Sequence, residues 1–273
     1  FRLTADNAIV SYPISETRIF GVLQRLAICY LLTALAVRYI DRKLLIYLAI
    51  AVLLVYWLIL VAFGSPDPFS LEGNAILKLD LLLFGQAHLY YDRGTFDPEG
   101  LLSTMPAVVN TLAGYLAGKY LQEKGTSPII LRPLIAIGLA GIAIALVWNT
   151  VFPINKKIWS SSFALLTISI DLILLALLVF ITKNQKDKEK NWIRFFTIFG
   201  KNPLFIYMMA EILLITLHKI PYHSTRLYEK INSAVFQYAL PGPAGSLLFA
   251  LTVMVFCWSV GWILNKNKIY VKV

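Results

Sequence analysis

Three ionisable side chains stand inside runs that are otherwise apolar: Arg25 in "GVLQRLAICYLL", Asp171 in "LLTISIDLILLALL" and Glu211 in "FIYMMAEILLIT". Charge in such a setting is costly, and a functional role is the first hypothesis for each. Arg25 can carry its long stem to an aqueous boundary. It can equally set its guanidinium against negative charge that develops during a reaction. Asp171 and Glu211 have no such reach. Each must be protonated, paired or hydrated, because burial disfavours the ionised carboxyl.

A denser polar set falls in the connections between apolar runs: His88, Tyr90, Asp97, Glu99, Asn155, Lys156 and Lys157. Acyl or glycosyl transfer needs a general base beside the acceptor, and a histidine or a carboxylate can serve. The competing reading is purely structural. His88 is then a loop histidine. Asp97-Pro98-Glu99 is then a helix start, with Asp97 as cap, Pro98 at the first position and Glu99 favoured by the dipole. Zinc-type His/Cys spacing, a glycine-rich phosphate loop and a G-x-S-x-G elbow are all missing from the sequence, so no metal is expected.

The elements that must hold these residues are apolar blocks. Of 273 residues 58% are hydrophobic, and the mean hydropathy is +0.70. A membrane-crossing helix needs about 20 mostly apolar residues, and seven segments approach that: 19–40, 44–63, 101–118, 133–148, 160–182, 197–217 and 244–264. Helix is the expected form, because lipid offers no partners to free backbone groups. The predicted fold is therefore all-α, a polytopic helical bundle embedded in the lipid bilayer. The first segment holds Arg25 and lacks a small-residue cleavage site, so it is no signal peptide. Cys29 and Cys257 both lie in apolar segments and read as small core residues. The outer connection 64–100 is long and broken by Pro and Gly, and "AILKLDLLLFG" within it reads as a helix at the membrane surface.

The net charge of +10 suggests nucleic acid until its placement is examined. Connections taken alternately divide into two sets. One holds 15 Lys/Arg against 4 Asp/Glu, and the other holds 9 of each. Basic residues gather on the cytoplasmic side of membrane proteins. This predicts seven spans with the N-terminus outside and the C-terminus inside, and it removes nucleic acid as a partner. An outside N-terminus without a leader leads to the expectation that the chain is the C-terminal part of a longer protein.

Four strings then occur in order: "RIFGVLQRLAICYLL", "QAHLY" followed by "FDPEGLLSTMPAVVNTLAG", "FPINKKIWSSSFALLT", and "FGKNPLFIYMMAEIL". Together they resemble the heparan-α-glucosaminide N-acetyltransferase family, including bacterial relatives of undefined substrate, over nearly the whole chain. The resemblance implies a multi-pass acyltransferase. It takes acetyl from cytoplasmic acetyl-CoA and gives it to the amino group of a glucosamine-type sugar or glycan on the far side. Carried over by position, the family pattern falls on Gln24 and Arg25, on His88, Asp97, Glu99 and Gly100, on Asn155, Lys156 and Trp159, and on Asn202 and Glu211. Asp171 has no counterpart. The family's active histidine lies in a tryptophan-rich outer segment after its first span, and no such segment occurs here. The resemblance thus places the start of this chain about three spans into the family pattern, and the chain alone is expected to be inactive.

The expectation is one transmembrane acyltransferase-like domain over residues 1–273, in a bacterial inner membrane. Arg25, His88, Asp97 and Glu99 are the catalytic candidates. Gln24, Asn155, Lys156, Trp159, Asn202 and Glu211 are the binding candidates. Acetyl-CoA is the expected donor and an amino sugar or glycan the acceptor. A homo-oligomer is compatible with this reading. The rival class is a transporter or channel for an anionic or sugar solute, in which Arg25, Asp171 and Glu211 line a polar path.

Overall fold

The computed structural model describes residues 2–3, 9–10, 13–90, 96–183, 191–222 and 225–271. The charged run at 184–190 lies outside the described residues. The chain forms two compact units, one of residues Tyr12–Asn184 and one of Gln185–Val273 with Phe1–Ser11.

The first unit carries six helices: α1 (Val22–Tyr39), α2 (Arg42–Phe63), α3 (Ala75–Phe84), α4 (Thr104–Lys124), α5 (Pro128–Trp148) and α6 (Ser161–Lys183). The second carries α7 (Asn191–Lys201), α8 (Pro203–Lys219), the short α9 (Leu227–Ile231) and α10 (Pro243–Lys266), with a π-helical stretch at Asn232–Gln237. Strand structure among the described residues is confined to two antiparallel ribbons of two-residue strands. Proline opens α5, α8 and α10, where its missing N–H costs no helical hydrogen bond.

All seven apolar segments are helical. Among the described residues five helices are long and apolar enough to cross a membrane, α1, α2, α5, α6 and α10, and the bent pair α7–α8 makes six if it is one span. They make this an integral, multi-pass membrane protein. The other two segments differ from expectation for separate reasons. Segment 101–118 becomes α4, which has the length but a more polar composition. It packs against α1, α2, α5 and α6, and a helix enclosed by other helices need not be apolar all round. Segment 197–217 is not one straight helix. It breaks at Asn202, and α7 meets α8 at 82°. The "GKNP" sequence accounts for the break, since a residue before proline is pushed out of helical geometry.

Close packing joins α5 to α6. A Cβ on Gly138 would stand 2.7 Å from the Ser169 carbonyl oxygen, and one on Gly141 would overlap the Ser169 hydroxyl. Small residues that let backbones approach are the usual solution where lipid gives helices no hydrophobic reason to associate. At one end of the unit an aromatic core gathers Tyr56, Trp57, Phe69, Phe96, Trp148 and Phe152 around Leu60, Ile76 and Ile158. This core fixes the two connections that carry the polar set, 96–103 and 152–160. The Tyr56 hydroxyl donates to the Ile158 carbonyl at 2.5 Å, and Ser161 Oγ donates to the Leu53 carbonyl at 2.7 Å. At the opposite end Arg42 and Lys119 pair with Glu123. Both cysteines are buried and unbridged.

Candidate active site

The Asp97–Gly100 stretch does not open a helix. It forms a turn closed by Gly100 N–H to the Asp97 carbonyl at 3.1 Å, and α4 begins only at Thr104. The helix-cap expectation for Asp97 is thereby corrected. Its carboxylate is 1% exposed and is consumed by other donors. Arg18 grips it bidentately, Nε to Oδ2 at 2.8 Å and Nη2 to Oδ1 at 2.6 Å. The backbone N–H groups of Tyr90 and Glu99 complete the shell at 3.2 and 3.0 Å. A planar guanidinium fork matched to a carboxylate is the strongest form of such a pair. The same Nη2 donates to Glu99 Oε2 at 2.5 Å, and the Arg18 cation lies 4.6 Å from the centroid of the Tyr90 ring. Burial alone would weaken the Arg18 charge, but Asp97 and Glu99 outweigh it and raise the Arg18 pKa.

Arg25 lies in the first turn of α1, nearer the helix end than the apolar run suggested, and it does not snorkel. It is 6% exposed. Its Nη2 donates to Ser103 Oγ, and its guanidinium sits 4.9 Å from the centroid of Trp159. Ser103 in turn lies 3.0 Å from the Gly100 carbonyl. Arg25 also feels the charges of Glu99 and Asp97. Its Nε is buried without a partner. Arg25, Cys29 and Thr33 are the buried residues of α1, and their spacing of four aligns them on one face.

The second connection supplies Trp159. Its backbone has φ of 48°, an uncommon left-handed conformation for a bulky residue. Asn155 sets the loop: its carbonyl accepts from Ser160 N–H at 3.1 Å, its own N–H donates to Ser160 Oγ at 3.0 Å, and its Oδ1 accepts from Lys157 N–H at 2.9 Å. Trp159 Nε1–H donates to Asn110 Oδ1 at 3.2 Å, and Asn110 Nδ2 donates to Thr167 Oγ1 at 3.0 Å. The tryptophan thus lies between Arg25 and a polar link joining α4 to α6.

Asp80 belongs to this site, though it was not among the candidates; its signal was an acid inside the apolar run "AILKLDLLLF". It is 1% exposed. Oδ1 accepts from Leu101 N–H at 3.1 Å, while Oδ2 is buried without a partner. Burial pushes its carboxyl pKa up to about 6, against the pull of the Leu101 hydrogen bond. A Cβ on Gly100 would collide with that Oδ2, so glycine at 100 makes room for the Asp80 side chain. Arg18 and Ser103 were also missed. Each is an ordinary residue at a segment edge until the fold brings it to its partner.

The remaining candidates divide. His88 is half-buried, its Nδ1 2.8 Å from the Thr17 carbonyl, and it fastens the segment carrying Arg18. Gln24 and Lys156 are exposed. Asn202 and Glu211 belong to the second unit. Asn202 is fully buried at the α7–α8 corner, donating to the Ile269 carbonyl at 3.1 Å and accepting from Val271 N–H at 2.8 Å. It holds the segment after α10. Glu211 is exposed on α8. Asp171 is exposed on α6 and borders a small cavity of about 70 Å³ together with Asn110. A larger cleft of about 610 Å³ lies between α1 and α4, lined by Tyr30, Thr33, Val37, Arg38, Thr111 and Tyr115. Among the described residues no cluster of three His, Cys, Asp or Glu could hold a metal.

Comparison with known proteins gives a distant but consistent answer. No family model matches. The human heparan-alpha-glucosaminide N-acetyltransferase is 28% identical over 201 residues, 54% of this chain and 30% of the human protein. The mouse protein of the same name is 28% identical over 251 residues, 72% of this chain and 38% of the mouse protein. The chain therefore spans well under half the length of the curated relatives it matches. On these two matches the chain is a distant relative of the heparan-alpha-glucosaminide N-acetyltransferases.

Proposed function

We propose that the protein containing this chain is a transmembrane acyltransferase. It moves acetyl from acetyl-CoA on the cytoplasmic side to the amino group of a glucosamine-type sugar or glycan on the other side, in a bacterial inner membrane. One observation carries the reading. Arg25 is buried beneath the Arg18–Asp97–Glu99 cluster, and the same face of α1 leads from it past Cys29 to Thr33 in the α1–α4 cleft. Eight residues of helix are about 12 Å, so one helix face joins a polar mouth to the open cleft between α1 and α4. The cleft is of the size and mixed lining usual for small-molecule sites. Arg38 at its far end suits a phosphate, and Tyr30, Thr33 and Tyr115 suit the amides and thioester of an acyl arm.

The transfer forms a C–N bond and breaks the C–S bond of the thioester. The amine loses a proton and the thiolate gains one. In this reading Asp97, with its acceptor sites filled, holds geometry. Glu99 keeps one oxygen for the acceptor's amine proton. Arg25 offers a buried cation to the negative charge on the carbonyl oxygen. Asn155, Lys156 and Trp159 shape the acceptor side of the mouth.

The test is thermal stabilisation of the detergent-purified full-length protein by acetyl-CoA, with ATP as the anionic control. A ligand that binds only the folded state raises the midpoint as its concentration passes Kd. The expected result is a shift with acetyl-CoA alone, together with acetyl transfer to glucosamine that falls at least tenfold in Arg25→Ala while the protein still folds. No shift at millimolar acetyl-CoA, with uptake of labelled solute into proteoliposomes lacking any acyl donor, would replace this reading with a transporter.

A further inference from the structure

Helices α7 and α8 reach the length and apolarity of a span only as a pair, and that pair is broken by an 82° bend. α8 alone has 17 residues, about 26 Å at 1.5 Å per residue, and a bilayer's apolar core is about 30 Å. α7 meets it at 82°, so an α8 that crosses the membrane leaves α7 lying along the surface plane. The faces of α7 agree with that attitude. At about 100° per residue, Trp192, Phe195, Phe196, Ile198 and Phe199 share one broad arc, while Arg194 and Lys201 share another.

The apolar arc is only partly used by the protein. Ile198 is 1% exposed, and a Cβ on Gly261 of α10 would come within 3.2 Å of it. Phe195 stacks on Trp258 of α10, ring centroids 5.5 Å apart. Trp192 meets Phe196 at 6.5 Å and Phe196 meets Phe195 at 5.3 Å, yet Trp192 and Phe196 are 37% and 63% exposed. Arg194 is exposed. Lys201, on the same arc of α7, and Lys266 of α10 lie over the rings of Tyr270 and Trp262. An amphipathic helix with aromatic residues on one arc and cations on the other sits at the headgroup boundary, and its cations favour anionic lipid.

We propose that α7 is an in-plane membrane helix whose partner is the anionic headgroup layer: Trp192 and Phe196 enter the acyl boundary, and Arg194 meets lipid phosphate. The inference rests on α8 and α10 as spans and is independent of acyl transfer. By the charge distribution this is the cytoplasmic leaflet.

The test uses the full-length protein in nanodiscs of phosphatidylcholine, with and without phosphatidylglycerol. Cys29 and Cys257 are replaced by Ala, and a nitroxide is attached at Phe196→Cys or, separately, at Arg194→Cys. The ratio of oxygen to nickel-chelate accessibility should be severalfold higher for the Phe196 label than for the Arg194 label. Phosphatidylglycerol should raise the thermal midpoint, inorganic phosphate should not, and Arg194→Gln should lose much of the lipid effect. Equal water accessibility of both labels, or a Phe196 label shielded from both reagents, would overturn the in-plane helix. A lipid effect unchanged in Arg194→Gln, or matched by inorganic phosphate, would overturn the headgroup assignment.

Discussion

Asp80 gives the sharpest test of the site's construction, because its proton is linked to folding. Its carboxyl moves from an ordinary 3.8 to about 6 in the folded protein. The folded state therefore holds a proton between those values that the unfolded state has released. Stability from this group is fully present below pH 4 and is lost as the pH rises through about 6. Two units at 1.36 kcal/mol each give just under 3 kcal/mol. The side chain is 1% exposed, but solvent and relaxation near a mouth reduce the effect, and about 2 kcal/mol is the working value. Asp80→Asn keeps an oxygen for Leu101 N–H and cannot ionise. The assay is the thermal midpoint from intrinsic fluorescence between pH 3 and 7, the window that brackets both values, wild type against Asp80→Asn. Their difference should move in favour of the variant by about 2 kcal/mol as pH rises, or about 4–8 °C. Since other titrating groups are common to both proteins, subtraction isolates Asp80. Parallel curves across the whole range would refute the argument that Asp80 is an ionisable carboxyl held out of water against Gly100.

Three further outcomes follow from the same geometry. Gly100→Ala should cost about 1–3 kcal/mol through overpacking against the Asp80 carboxylate, and Asp80→Ala in the same chain should recover part of that loss, a coupling that a double-mutant cycle of midpoints measures. Arg18→Ala should destabilise by about 2 kcal/mol or more, since it strands the buried Asp97 charge, and chemical denaturation should show a larger loss than for Lys156→Ala, whose side chain is exposed. Trp159→Phe should keep a ring over Arg25 but remove the 3.2 Å donor to Asn110, costing about 1 kcal/mol, whereas Trp159→Ala should cost more and lower acetyl transfer as well.

The helices were legible because lipid imposes long apolar runs and internal hydrogen bonding at once. Their limits were less so. Apolar "TIF" at 197–199 reads as the start of the span that follows, yet "GKNP" after it forces the bend, and only the α7 pattern on its own shows an amphipathic face. The motif residues Asp97, Glu99, Asn155 and Trp159 stood out in the sequence, but their partners did not. Arg18 is 79 residues from Asp97, and Ser103 is 78 from Arg25. Pairings over such separations carry no periodic signal. Asp80 was visible as one acid in an apolar helix, and it was passed over because the same helix reads equally well as an exposed surface element. Asn202 shows the converse case: a motif position whose side chain ties the chain together at a corner.

Two of the buried polar atoms without partners among the described residues flank one turn. Arg25 Nε lies on the Ser103 side of the segment Asp97–Ser103, and Asp80 Oδ2 lies against Gly100. Buried groups left unmatched cost about 1–3 kcal/mol each, and native proteins tolerate them mainly where function requires it. One is a donor on a cation and the other an acceptor on an acid, so a single kind of apolar filler would satisfy neither. The neighbouring pair Arg18–Asp97 shows that this fold can saturate a carboxylate when geometry alone is wanted, using four donor contacts on two oxygens. The same turn therefore holds one charge pair completed by the protein and two charged groups left short of partners. Under the proposed acyl transfer, a group that gains charge needs a donor that can strengthen its hydrogen bond in the transition state, and Arg25 is the residue proposed for that role. In that proposal Arg18 and Asp97, whose hydrogen bonds are complete, build the mouth, and Arg25, whose hydrogen bonds are not, acts in it.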